Sequence, residues 1–194
     1  MYINSYVKLF QGGGSMTIMD KVQSATRATV QGIVDREPVN YLEGGGIYGI
    51  ISQGRHNLCT LEIMYNHAQD SELKERIEEA MEKLTRPLIE ECEGLLKESN
   101  AQVPQFHFTN HKMHKEKLNI PEDARMTDME IAAAVGTMAK AAQVNILAAL
   151  QNSYQLHIGI MFRKFLDESL DWNYRLLQLM INRGWLPHVA KITH

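Results

Sequence analysis

The sequence predicts an all-α protein, a four-helix bundle built from two helical hairpins. Two observations support this fold class. Apolar residues recur at alternating steps of three and four in four separate segments, and one long polar segment divides these into two pairs. With 194 residues, 44% of them apolar, the chain can bury one hydrophobic core. We therefore assign residues 16–194 to a single four-helix-bundle domain.

Residues 1–15 are predicted to lie outside the fold. Their Gly-Gly-Gly-Ser run before Met16 is compatible with a translated leader or with an expression linker, so Met1, Met16 and Met19 all remain candidate starts. Residues 17–35 carry a weak amphipathic pattern that stops before Pro38. This pattern predicts an N-terminal accessory helix lying against the bundle.

The first two helices are predicted to form a hairpin that turns near Asp70. The first buried stripe consists of Ile47, Ile51, Gly54, Leu58, Leu61, Tyr65 and Ala68. The second consists of Leu73, Ile77, Ala80, Leu84, Leu88, Cys92 and Leu95. The glycines 44–46 are expected just before the first helix, where they would allow close backbone approach. They do not form a phosphate loop, because no Lys-Ser/Thr pair follows them.

Pro87 interrupts the second stripe and is expected to kink the helix, because proline removes one backbone hydrogen bond. In a hairpin that turns near Asp70, Cys59 and Cys92 lie roughly 18 Å apart along the helix axis, because each residue adds 1.5 Å. A disulfide needs Cα atoms within about 7 Å. Both cysteines are therefore predicted to be free thiols.

The second hairpin follows a 26-residue polar segment after Asn100. Thr127 and Glu130 form a capping box that opens the third helix. The fourth helix is predicted from Gln155 to Arg183, with core residues Phe162, Phe165, Leu166, Trp172, Leu176, Leu177 and Met180. Two hairpins joined by one long crossover give the ferritin-like arrangement.

The third helix is rich in alanine, and its interior from Ile131 contains no acidic residue. A helix without a charged face is either buried on most sides or packed against a second copy of the chain. Asn145 shares a stripe with its apolar residues and is predicted to be a buried polar residue that sets the packing register. This helix is the basis for predicting a homodimer.

With these helices placed, the chain resembles an uncharacterised family of ferritin-like helical bundles from spore-forming bacteria, often labelled as spore coat proteins. The residues that carry the resemblance are 65–70 (YNHAQD), 127–130 (TDME), 171–177 (DWNYRLL) and 184–187 (GWLP). The resemblance implies this fold and an association with the spore coat. It implies no activity and no site residues.

Ferritin-like bundles often hold two metal ions through Glu-x-x-His pairs. The chain contains no such pair, so no di-metal cofactor is expected. His107, His111 and His114 are spaced four and three apart. If this segment were helical, the three imidazoles would share a face and could bind Zn²⁺ or Cu²⁺. The alternative is that they are solvated histidines in a polar loop.

Glu62 and His56 are further candidates for buried polar residues, because both lie beside the first apolar stripe. A net charge of −3 without a basic patch excludes a nucleic-acid partner. The uncharged run 141–162 is long enough to cross a membrane, but its many amides argue against that. We therefore expect a soluble intracellular protein, in the cytoplasm or in the spore coat.

Three functions remain open at this point. The first is a non-enzymatic structural or interaction protein whose partners are a second copy and coat proteins. The second is a metal-binding oxidoreductase or sensor with a degenerate site. The third is a binder of a small apolar ligand near Trp172, for which the eleven methionines would provide adaptable packing.

Overall fold

The computed structural model of the protein describes Gln23 and residues 37–105 and 107–186. Gln23 is helical and exposed. The predicted leader or linker (residues 1–15) and the rest of the predicted accessory helix lie outside the described residues.

The described residues form four helices and contain no strand. Helix α1 is Tyr41–His67. Helix α2 is continuous but has three parts, Ser71–Glu79, a π-helical segment Ala80–Thr85, and Arg86–Glu98. Helix α3 is Asp128–Gln151 and helix α4 is Leu156–Arg183. The all-helical class and the four helices are as predicted.

The four helices pack so that every neighbouring pair is antiparallel. Helix α1 packs against α2 and α3, and α4 packs against α3 and α2. The Asp128 carboxylate at the start of α3 accepts hydrogen bonds from the backbone N–H groups of Gln69 and Asp70 in the α1–α2 turn, at 2.7 and 3.1 Å. Arg183 at the end of α4 donates to the Asp70 carboxylate at 2.8 Å. Helices α2 and α3 therefore start at the same end of the bundle.

The connection from α2 to α3 follows the surface of α1 for much of its length. Near its beginning, the Arg55 guanidinium donates to the backbone carbonyl of Pro104 at 2.6 Å. Further along, the Asn66 side chain accepts from the backbone N–H of His114 and donates to the carbonyl of Lys112, both at 2.8 Å. These contacts satisfy backbone groups that a segment without regular structure would otherwise leave unpaired.

Helix α1 begins before the glycine run and not after it, because Asn40 and Glu43 form a capping box around its first turn. The prediction that the glycines precede the helix is wrong. Close approach is nevertheless real at Gly46, where an added Cβ would lie 3.4 Å from the Cβ of Ala149 on α3.

The π-helical segment explains how α2 accommodates Pro87. The Arg86 N–H bonds back five residues to the carbonyl of Met81. Pro87 then stands in the first turn of the following α-helical part, where its missing N–H is tolerated. The Thr85 hydroxyl donates to the carbonyl of Ala80 at 2.9 Å and satisfies a further group in the widened turn.

The buried core confirms most of the predicted stripes but shifts two of them. In α2 the fully buried positions after the π-helical segment are Leu88, Ile89, Cys92 and Leu96, whereas the predicted Leu95 is only partly buried. In α4 the predicted core residue Leu177 is 41% exposed, and Leu179 is buried instead. Both cysteines are free, as predicted.

Candidate interaction surface

Glu62 is buried, as predicted, and it fastens the crossover to the bundle. Its Oε2 accepts a 2.6 Å hydrogen bond from the backbone N–H of His111, and its Oε1 lies 3.3 Å from Arg86 Nη2 on α2. The carboxylate thus joins three parts of the chain. Because both oxygens have partners that hold the fold, the geometry assigns Glu62 a structural role.

His56 and Asn145 are not buried, so these two predictions are wrong. The His56 ring lies on the surface, 5.3 Å from the ring of Phe108 in the crossover. The exposed Asn145 side chain donates to Gln53 on α1 at 2.6 Å. The buried amide of α3 is Gln143, which donates to the backbone carbonyl of Ser169 on α4 at 2.9 Å. The reason is that α3 turns Gln143, and not Asn145, toward α4.

The three crossover histidines do not share a helical face. Their segment has no regular secondary structure, and His107 and His111 are exposed. The condition under which they would form a Zn²⁺ or Cu²⁺ site is therefore not met. Within residues 37–105 and 107–186, no group of three or more His, Cys, Asp or Glu side chains is arranged to hold a metal ion.

Lys74 and Glu43 are buried charged residues that the sequence analysis missed. The Lys74 ammonium donates to the backbone carbonyl of His114 at 3.0 Å and lies 4.9 Å from the centre of the Tyr65 ring. Burial lowers the pKa of Lys74, and the nearby charge of Lys117 lowers it further. For Glu43, a sequence signal existed, since an acidic residue three positions after Asn40 indicates a capping box.

Hydrogen bonds favour the ionised form of two carboxylates, the buried Glu43 and the partly buried Glu93. Burial by itself would raise the pKa of Glu43, but backbone hydrogen bonds from Gln155 and Asn40 outweigh it and lower the pKa. Burial likewise opposes ionisation of Glu93, and the hydrogen bonds and positive charges of Arg55 and Lys97 lower its pKa. Both groups stabilise packing between elements, and neither lies in a cleft with a nucleophile.

The exposed face of α3 carries an apolar strip beside Thr137, Lys140 and Asn145. Val144 is 64% exposed, and Met129, Leu147, Ala133, Ala141 and Ala148 are also exposed. Among the described residues, α3 is a helix long and apolar enough to cross a membrane. Only 33% of its most apolar 18-residue stretch is buried. Of the two alternatives predicted for α3, burial on most sides does not hold for the single chain, and packing against a second copy stays a prediction.

Helix α4 carries a second heptad stripe on the side facing away from the core. We name it the outer α4 stripe; its eight residues are spaced alternately by four and three and are all exposed. They are Leu156, Ile160, Arg163, Asp167, Leu170, Tyr174, Leu177 and Ile181. Its two charged members are adjacent, with Arg163 Nε 3.4 Å from Asp167 Oδ2. Such spacing is typical of a helix that packs along a partner helix.

Comparisons with known proteins support one family. Residues 28–191 match the model of a family described as a protein of unknown function, DUF3231. The uncharacterized protein YvdQ of Bacillus subtilis (strain 168) is 27% identical over 151 residues, which cover 77% of this chain and 86% of YvdQ. The crystal structure of a putative spore coat protein from Bacillus halodurans C-125 superposes with a TM-score of 0.74. That protein is 23% identical, and the match covers 81% of this chain and 98% of the other. At this identity the likeness shows the fold.

Proposed function

Because the chain belongs to the DUF3231 family, as its resemblance predicted, we propose that it is a non-enzymatic structural protein of the spore coat. In this proposal the bundle has the ferritin-like helix order, needs no cofactor, and acts by binding protein surfaces. Its first partner is a second copy of itself, and coat proteins are further partners. The observation that carries the proposal is the outer α4 stripe.

The stripe is complementary to itself in an antiparallel pairing. When two copies of α4 cross with Phe165 at the centre, residues equally distant from Phe165 lie opposite each other. Ile160 then faces Leu170, and Arg163 faces Asp167 of the other copy. Leu156 likewise faces Tyr174, so between residues 156 and 174 each apolar side chain of the stripe meets an apolar one and each charge meets its opposite. Leu177 and Ile181 extend past the start of the partner helix. A two-fold interface requires this kind of self-complementarity.

The same pairing accounts for the exposure of Leu156, Ile160, Leu170 and Tyr174 on the single chain. Burying one such side chain contributes about 1.5–3 kcal/mol. The two ion pairs add little to affinity by themselves, because exposed pairs contribute about 0–1 kcal/mol. They do fix the register, because any shift by one heptad would place a charge opposite an apolar residue.

A structural role also agrees with the use of the buried polar groups. Glu43, Glu62, Lys74 and Gln143 each hydrogen-bond to backbone groups of another part of the chain. Catalysis would instead need a nucleophile, a base and an orienting group converging on one site. The link to the spore coat is supported by the description of the protein from Bacillus halodurans.

A charge-reversal series tests the proposal. We expect the purified protein to be a dimer by sedimentation equilibrium at micromolar concentration. Arg163→Asp should weaken the dimer about tenfold, or 1.4 kcal/mol, because it places Asp opposite Asp167. Adding Asp167→Arg in the same chain should restore the affinity, since the pair is then inverted but still complementary. Lys164→Asp is the matched control, because Lys164 is exposed on the same turn but outside the stripe.

A protein that stays monomeric at high micromolar concentration would overturn the proposal, as would a dimer that Arg163→Asp leaves unchanged. Flotation with lipid vesicles tests the competing explanation, which is that the exposed apolar surface binds a membrane. Co-flotation of a monomer with vesicles would assign the outer face of α3 to a membrane surface instead.

A further inference from the structure

A cavity of about 80 Å³ lies between the four helices at the middle of the bundle. It is partly open, and residues from every helix line it. Ile50 and Gly54 come from α1, Leu84 from the π-helical segment, Ala142 from α3, and Phe165 and Trp172 from α4. Well-packed protein interiors contain few voids larger than a water molecule. A space of this size at the centre of the bundle therefore calls for an explanation.

We propose that this cavity binds a small, uncharged and largely apolar molecule, no larger than a single six-membered ring with one small polar substituent. None of the described residues that line the cavity has an ionisable side chain. A charged ligand would lose its hydration there without an opposite charge to replace it. Dry apolar cavities of roughly 150 Å³ bind benzene or xenon. This space is smaller but partly open, so a single ring can occupy it when its polar substituent stays in the opening.

The cavity exists because small residues stand where larger ones would fill it. These residues are Ala139 and Ala142, which face it from α3. Any cavity in a core destabilises the fold, because its lining loses packing contacts. A ligand would restore these contacts and raise the stability of the protein by mass action.

The π-helical segment forms one wall of the cavity through Leu84 and Thr85. Short π-helical turns occur frequently at functional sites. On the opposite side, the indole N–H of Trp172 already donates to the carbonyl of Arg76 at 3.0 Å. The Trp172 ring is therefore held in place and offers the ligand an apolar surface, not a hydrogen bond.

Polar groups meet the cavity on the side between α1 and α3. Gln53 and Asn57 line it there and are only partly buried, as are Met138 and Ala142 opposite them. A ligand that enters between these helices would pass the two amides. A ligand with one hydroxyl or carbonyl group could hydrogen-bond to them while its apolar part occupies the core. The preferred class is thus a small neutral molecule with a single polar group, such as phenol.

Trp172 provides the readout for a binding experiment. The chain has two tryptophans, so Trp185→Phe leaves Trp172 as the only indole. In this background we expect phenol to cause a saturable change in fluorescence and to raise the melting temperature. Benzoate should cause neither at the same concentrations, because its carboxylate has no charged partner in the cavity.

Ala142→Leu should fill the cavity and weaken phenol binding at least tenfold. Ala139→Met is a second filling variant, in case the first does not fold, and circular dichroism reports on folding of both. Ala141→Leu is the matched control, because Ala141 is the exposed neighbour on the same helix and its substitution should leave binding unchanged. Equal binding by a folded filling variant, or no saturable signal in the parent, would overturn the proposal.

This inference does not depend on self-association. The Arg163→Asp variant should bind phenol like the parent protein, since Arg163 is not among the residues that line the cavity. A monomeric protein that binds phenol would therefore contradict only the proposed function, and a dimer without phenol binding would contradict only the cavity proposal.

Discussion

The carboxylate of Glu43 accepts a 2.8 Å hydrogen bond from the backbone N–H of Gln155, although the two residues are 112 positions apart in the chain. It also accepts from the N–H of Tyr154 at 2.8 Å and from the N–H of Asn40 at 3.1 Å. One side chain therefore caps α1 and holds the turn that precedes α4. Helix α4 has no side-chain cap of its own at Gln155, so this contact from α1 takes its place.

Glu43→Gln should lower the free energy of unfolding by about 1.5–3 kcal/mol, the usual range for hydrogen bonds to a charged group. Glutamine keeps the size of the side chain but has only one acceptor oxygen and no charge. Urea unfolding followed by circular dichroism measures the effect. Glu130→Gln is the control, because Glu130 belongs to an exposed capping box and joins no distant element. Equal losses for the two variants would contradict the bridging role.

Acid should remove the contribution of Glu43 to the free energy of unfolding. Its pKa in the folded protein lies below the unfolded value of 4.5, so its stabilisation is complete above that value. The stabilisation is then lost as the pH falls through the lowered folded pKa. The difference in unfolding free energy between the parent and Glu43→Gln should therefore shrink below about pH 4.5. A difference that stays constant on acidification would show that Glu43 is not ionised in the fold.

Glu62→Gln should loosen the crossover without unfolding the bundle. The variant loses the charge of the carboxylate that binds the N–H of His111 and the guanidinium of Arg86. Trypsin should then cleave faster after the exposed lysines Lys112, Lys115 and Lys117. Glu75→Gln, at an exposed position of α2, should not change the cleavage rate. Unchanged cleavage of Glu62→Gln would mean that other contacts hold the crossover.

The glycines of α1 should respond differently to alanine. At the exposed Gly49 an added Cβ meets nothing within 4 Å, so Gly49→Ala should stabilise the protein by about 1 kcal/mol through helix propensity. At Gly54 the Cβ would lie 2.8 Å from Cγ1 and 2.9 Å from Cδ1 of Ile89. This clash should cancel the stability that alanine gains through its higher helix propensity. Melting temperatures measure both, and an equal rise for both variants would contradict the close packing of α1 on α2.

The two thiols should differ in reactivity. Burial raises the pKa of Cys92 to about 12, whereas Cys59 is only partly buried. Because the thiolate is the reactive form, iodoacetamide should label Cys59 in the native protein and Cys92 only in denaturant. Peptide mass spectrometry distinguishes the two sites. Equal labelling rates in the native protein would show that this end of the core opens readily.

Local signals in the sequence were sufficient for the ends of several helices. Thr127 and Glu130 form the predicted capping box, and Gly184 ends α4 in a left-handed conformation at φ 69°. Such signals involve neighbouring residues only, so no tertiary contact is needed to read them. The start of α1 is set by the Asn40–Glu43 capping pair, which precedes the glycines and outweighs their low helix propensity.

The apolar periodicity determined the four helices, their pairing and the long crossover, because a stripe of apolar side chains has to face a common core. It could not determine the π-helical turn, which depends on how the backbone accommodates Pro87, nor that Leu96 is buried in place of Leu95 near the end of α2. The predicted core face of α4 includes Phe162, Phe165 and Trp172, which are all buried. Only the packing of α4 against α2 and α3 decided that Leu177 lies on the surface and Leu179 in the core, because two stripes of equal spacing run along this helix. The central cavity likewise depends on how the side chains of four helices fit together. The spacing of residues along the chain does not give the volume that remains between them.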